Sequence, residues 1–130
     1  MTTPNPTQGE LAILRILWSR KAPMTVREVH QLLSRDKDTA YTTVLKMLTI
    51  MAEKGLVRRD ESERSHSYAA VQAEPAVQAS LLKDLVRRAF SGSALTLVQR
   101  ALDDELASAD ELEAISKLIE QAKAKRKQEG

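Results

Sequence analysis

The sequence predicts a mainly α-helical chain with one small β-hairpin. Three observations predict it. Start signals for three short helices fall before Gly55, the hydrophobic period becomes strand-like between Leu56 and Ala70, and helical periodicity returns from Pro75 onward. Helices, a hairpin, then more helices is the order of a winged helix-turn-helix followed by a helical dimerisation region. The expected division is 1–72 for the winged helix and 73–130 for the helical region with its basic C-terminal tail.

The first helix opens at Thr7-Gln-Gly-Glu10, a capping box in which hydroxyl and carboxylate each satisfy a free backbone N–H. Leu11, Leu14, Leu17 and Trp18 recur at helical spacing, and Ser19-Arg-Lys-Ala-Pro23 ends the element. Met24 is expected in a very short strand, because a second capping box, Thr25-Val-Arg-Glu28, follows at once with Val26, Val29 and Leu33 as the buried face. Beyond the polar turn Ser34–Asp38, a third helix should start at Thr39 or Ala40. It should end at Lys54, with Gly55 suited to a left-handed C-cap. Leu56–Asp60 and His66–Ala70, joined by the polar Glu61–Ser65, form the wing, with Tyr68 packed on the helices and the arginines outward.

Glu74-Pro75 reads as N-cap and first helical position of the next helix, lined by Val77, Leu81, Leu82, Leu85, Val86, Ala89 and Phe90. Ser93 caps another, with Leu95, Val98, Ala101 and Leu102 facing inward. Ser108-Ala-Asp-Glu111 opens the last, with Leu112, Ile115, Ile119 and Ala122 in step. Three amphipathic helices of this size bury too little surface alone. A second copy is expected to complete their core, making a homodimer through Leu81, Leu85, Phe90, Val98, Leu102, Leu112, Ile115 and Ile119.

Composition excludes several classes. With no cysteine there is no disulfide, thiolate zinc site or cysteine nucleophile. Aromatics are 3% of the chain (Trp18, Tyr41, Tyr68 and Phe90), too few for a base-stacking platform. No Gly-rich phosphate loop, His-Glu-x-x-His motif or nucleophile elbow is present, so neither catalysis, a metal nor a cofactor is expected. His30 reads as a surface or packing histidine, and Asp103-Asp-Glu105 and Asp110-Glu111 as capping and solvated groups. The N-terminus lacks a charged start and apolar stretch, and no apolar run approaches a membrane span. A cytoplasmic protein without membrane insertion is expected.

Net charge is only +2, yet residues 1–70 hold 11 Lys/Arg against 8 Asp/Glu while residues 71–130 hold 9 against 10. On a wheel of roughly 100° per residue, Ala40, Val44, Met47, Leu48 and Met51 share one side of the third helix. Thr42, Lys46, Thr49 and Glu53 oppose them, with Thr43 and Ile50 at the edge. Thr42, Thr43 and Lys46 suit a DNA major groove, Tyr41 a phosphate through its hydroxyl, and Arg58, Arg59, Arg64 and His66 of the wing suit phosphates or a minor groove. Taken alone, such a helix face is a solvated one and such a wing a protected edge strand; the order of elements favours double-stranded DNA. A winged helix that docks only on proteins is the alternative.

Glu10-Leu-Ala-Ile-Leu-Arg-Ile-Leu-Trp18, Thr25-Val-Arg-Glu-Val-His30, Ala40-Tyr-Thr-Thr-Val-Leu45 and Glu53-Lys-Gly-Leu-Val57 resemble the penicillinase-repressor (BlaI/MecI-like) family. The match is looser toward the C-terminus, resting on Ser91-Gly92-Ser93 and Asp103–Leu106. The resemblance implies a transcriptional repressor, a winged-helix homodimer bound to an inverted-repeat operator, with Thr42, Thr43 and Lys46 at the family's recognition-helix contacts. It also implies a different operator preference, since many relatives carry arginine where this chain has Ile50. A membrane sensor-protease is a further partner it implies, acting in such relatives at an Asn-Phe bond that aligns here with Arg100-Ala101. Copper sensing through a cysteine motif, known in a related branch, is excluded by the absence of cysteine.

Overall fold

Both N-terminal capping boxes form as the spacing requires. In the computed structural model, which describes residues 4–129, α1 (Gln8–Trp18) starts where Thr7 Oγ1 accepts the Glu10 N–H at 3.2 Å and Glu10 Oε1 accepts the Thr7 N–H at 2.9 Å. The two-residue strand β1 (Met24–Thr25) runs straight into α2 (Val26–Leu33), capped the same way by Thr25 and Glu28. Helix α3 (Tyr41–Lys54) has no side-chain cap at Ala40 and ends at Gly55, whose φ of 83° is the left-handed conformation a glycine adopts without strain.

Strands β2 (Val57–Asp60) and β3 (Ser67–Ala70) make the expected hairpin, and β1 joins it, so the sheet has three antiparallel strands in the order β1-β3-β2. Tyr68 pairs with both Met24 and Arg59 and is 1% exposed. Ile13, Leu14, Leu17, Val29, Val44, Leu48, Met51 and Val57 complete an aliphatic core with it; Leu33 and Met47, expected inside, are half-buried at its margin. Burial on this scale fixes the helices because each fully buried aliphatic side chain contributes about 1.5–3 kcal/mol. Trp18 Nε1 donates to the Gln72 carbonyl at 3.0 Å, closing the far side of α1 over the strand that leaves the sheet.

The chain forms two compact units, Met1–Leu82 and Lys83–Gly130. The boundary falls inside α4 (Glu74–Ala89), whose Val77 is buried. That helix begins one residue earlier than Glu74-Pro75 led us to expect, its first carbonyl acceptor being Ala73. Two left-handed residues, Ser91 (φ 51°) and Gly92 (φ 84°), follow shortly after its end. Helix α5 (Ala94–Asp103) is capped by Ser93, and α6 (Ala109–Glu129) opens with the reciprocal bonds of Ser108 and Glu111 and carries helix through the basic tail. Neither α5 nor α6 contains a buried residue.

Candidate nucleic-acid interface

Helix α3 is positioned by its apolar face. Val44, Leu48 and Met51 are fully buried against α1 and α2, which turns Thr42, Thr43, Lys46, Thr49 and Glu53 to the outside, all of them exposed. The turn before α3 is fixed by His30 of α2. Its Nε2–H donates to the Thr39 carbonyl at 2.7 Å, and its ring meets Tyr41 edge-on with centroids 5.7 Å apart. His30 thus ties α2 to the turn before α3 and to its first residue. Tyr41 lies at the start of α3 and is 45% exposed.

The far end of α3 is held by a different device. Lys54 Nζ donates to Glu10 Oε2 at 2.8 Å, and Glu10 is the one charged residue buried among the described residues. Burial pushes the Glu10 carboxyl up, but the hydrogen bond from Lys54, the Thr7 N–H and the Lys54 charge outweigh it and hold the group below its ordinary value.

On the wing, Arg58, Arg59, Arg64 and His66 are exposed. Arg59 is ion-paired with Glu61, and the Tyr68 hydroxyl followed by the Glu61 charge raises its pKa above the ordinary value. Among the described residues, no ion pair involves Lys46, Arg58 or Arg64. The Asp60 carboxylate accepts the Ser62 N–H at 2.9 Å and shapes the turn, a bond that lowers its pKa. A cleft of about 420 Å³ opens between the start of α2, α3 and the wing, and brings Tyr41, Arg64 and His66 together with Arg27 and Leu45. Sequence reasoning passed over the last two. Arg27 follows a capping threonine by two positions and was legible as an outward charge; Leu45 carried no such signal.

Of the residues expected at the dimer seam, Leu81 at the end of the first unit and Phe90 and Ile115 in the second are half-buried, whereas Leu85, Val98, Leu102, Leu112 and Ile119 are between 42% and 47% exposed. Leu95, Leu106 and Leu118 are more exposed still, Leu95 reaching 77%, so it does not face inward within one chain as expected. A polar array of this kind on α3, over an aliphatic core and beside an arginine-bearing hairpin, is the geometry of a winged-helix reader.

A family model described as penicillinase repressor matches residues 6–121. The chain belongs to that family. It is similar to the transcriptional regulator BlaI of Mycobacterium tuberculosis, with 37% identity over 116 residues that span 88% of this chain and 83% of that one. It is also similar to the methicillin resistance regulatory protein MecI of Staphylococcus aureus, with 20% identity over 113 residues, 87% of this chain and 91% of that one. Among solved structures, the DNA-binding domain of the repressor BlaI superposes with a TM-score of 0.50 at 22% identity, covering 56% of this chain and 88% of that one. RosR of H. salinarum superposes with a TM-score of 0.54 at 17% identity, over 95% and 98% of the two chains. The family and the mainly helical winged-helix fold expected from sequence are both borne out, and together with these relatives they support a DNA-binding repressor. No helix among the described residues is long and apolar enough to cross a membrane.

Proposed function

We propose that this protein represses transcription as a homodimer bound to an inverted-repeat operator, with residues 1–72 as reader and 73–130 as dimerisation region. The observation that carries the reading is the partition of α3, with Val44, Leu48 and Met51 at 0% exposure behind a face of Thr42, Thr43 and Lys46 turned outward. Threonine offers a hydroxyl and a methyl to base edges, and lysine reaches guanine or a phosphate. Arg58 and Arg64, with Arg59 in a lesser role because of Glu61, would neutralise the backbone on either side, and Tyr41 and His66 would hydrogen-bond to it.

The second unit supports the dimer. α5 and α6 have helical apolar periodicity and no buried side chain, so their leucines and isoleucines lack a core within one chain. A second copy supplies it through Leu85, Val98, Leu102, Leu112 and Ile119, with Leu81, Phe90 and Ile115 beneath them. Two linked readers would enter major grooves one turn apart, roughly 34 Å, and occlude a promoter. Any membrane sensor-protease acting at Arg100-Ala101 would have to open α5, in which both residues are helical.

Selection of duplexes from a random pool by the full-length protein tests the reading. The expected product is an inverted repeat with half-site centres about one helical turn apart. Recovery of single, unpaired half-sites would remove the dimer, and recovery of no common sequence would remove the operator.

A further inference from the structure

Helix α3 turns apolar groups as well as polar ones toward the outside. Leu45 is 41% exposed and Ile50 37%, although both lie on a helix whose other aliphatic side chains are buried or half-buried. Leu45 stands one turn after Thr42 and one turn before Thr49 on the same side of the helix. Thr49 Oγ1 donates its hydrogen to the Leu45 carbonyl at 2.8 Å, so toward the outside it retains only an acceptor lone pair and a methyl group. A single exposed leucine needs no explanation. Here Leu45, Thr49 and Ile50 are exposed within one turn of Lys46 on the helix that carries the polar contacts, and Leu45 also lines the cleft shared with Arg64 and His66.

We infer that Leu45 is a specificity-determining residue that packs on a thymine C5-methyl in each half-site, with Thr49 and Ile50 extending the apolar contact. The inference rests on the DNA-binding reading above and adds the base it selects. In the major groove thymine alone among the four bases presents a methyl, and an aliphatic side chain has no hydrogen bond to offer the others. The flanking Thr42, Lys46 and Glu53 interrupt the patch too closely for it to seat an apolar protein surface.

The test uses the full-length protein and the duplex it selects from a random pool, resynthesised with deoxyuridine in place of one thymine at a time. Deoxyuridine removes the methyl and nothing else. At one thymine per half-site the exchange should weaken wild-type binding about fourfold, the worth of one buried carbon. Leu45→Ala should bind the thymine duplex correspondingly more weakly and be indifferent to the same exchange, while Leu45→Met retains the preference. Because Leu45 is outside the core, unchanged melting of Leu45→Ala is expected. Wild-type binding indifferent to every uridine exchange, or Leu45→Ala keeping the wild-type pattern, would overturn the inference while leaving the repressor intact. Failure of the protein to select any duplex would instead overturn both.

Discussion

Glu10, at the third position of α1, accepts a hydrogen bond from Lys54, the last residue of α3, across 44 positions of sequence. The same carboxylate closes the capping box with Thr7, so one side chain both starts α1 and anchors the end of the helix whose outer face is the candidate reader. The ion pair is asymmetric, with side-chain exposures of 33% for Lys54 and 6% for Glu10.

Lys54→Ala should therefore destabilise the first unit by about 1–3 kcal/mol, because a buried carboxylate loses its charged partner. Thermal unfolding followed by circular dichroism checks this. Glu10→Gln keeps the box geometry but not the charge. The wild-type Glu10 carboxyl ionises below its ordinary value near 4.5, so its contribution is complete above that value and fades as pH falls through and below it. The stability gap between wild type and Glu10→Gln should shrink on acidification below about pH 4.5; a gap that widens there would contradict the assignment.

The arginines of the wing are not equivalent. Arg59 already faces Glu61, whereas Arg64 lies at the cleft beside Tyr41 with no ion pair among the described residues. Arg64→Ala should lower the slope of log affinity against log salt by about one, the signature of one lost phosphate contact. Arg59→Ala should change the slope by less, since Glu61 already offsets that charge. Titrations at several salt concentrations on random-sequence DNA separate the two.

Leu102 is 44% exposed on α5 and should lie inside the dimer. Leu102→Asp is expected to give a monomer by analytical ultracentrifugation, with the first unit still folded. Its affinity for an isolated half-site should be unchanged. Affinity for the paired operator should fall by about a hundredfold or more, because the linkage of two readers is lost.

What was legible from sequence followed the range of each interaction. The partners of the boxes Thr7 and Glu10, Thr25 and Glu28, and Ser108 and Glu111 are three positions apart, and all three boxes form. Gly55 marks a left-handed stop for the same local reason. The apolar rows of α1 to α3 located the core, because periodicity decides which side of a helix turns inward. The Glu10–Lys54 pair was not legible, since nothing local to either residue selects the other. Leu45 was passed over as one more aliphatic residue, although on the wheel it falls between Tyr41 and Thr49, away from the buried side. The helix through Lys123–Lys127 has no apolar period; alanine, lysine and arginine extend it by intrinsic propensity.

Fluorescence anisotropy of wild type and Lys46→Ala on the selected operator and on a scrambled duplex of equal length tests most directly whether the outer face of α3 reads DNA. Wild type should prefer the operator by on the order of a thousandfold or more. Lys46→Ala should lose about 1–3 kcal/mol on the operator and far less on the scrambled duplex. Equal losses on both would reduce Lys46 to a backbone contact, and a wild-type protein that does not distinguish the two duplexes would contradict the reader altogether.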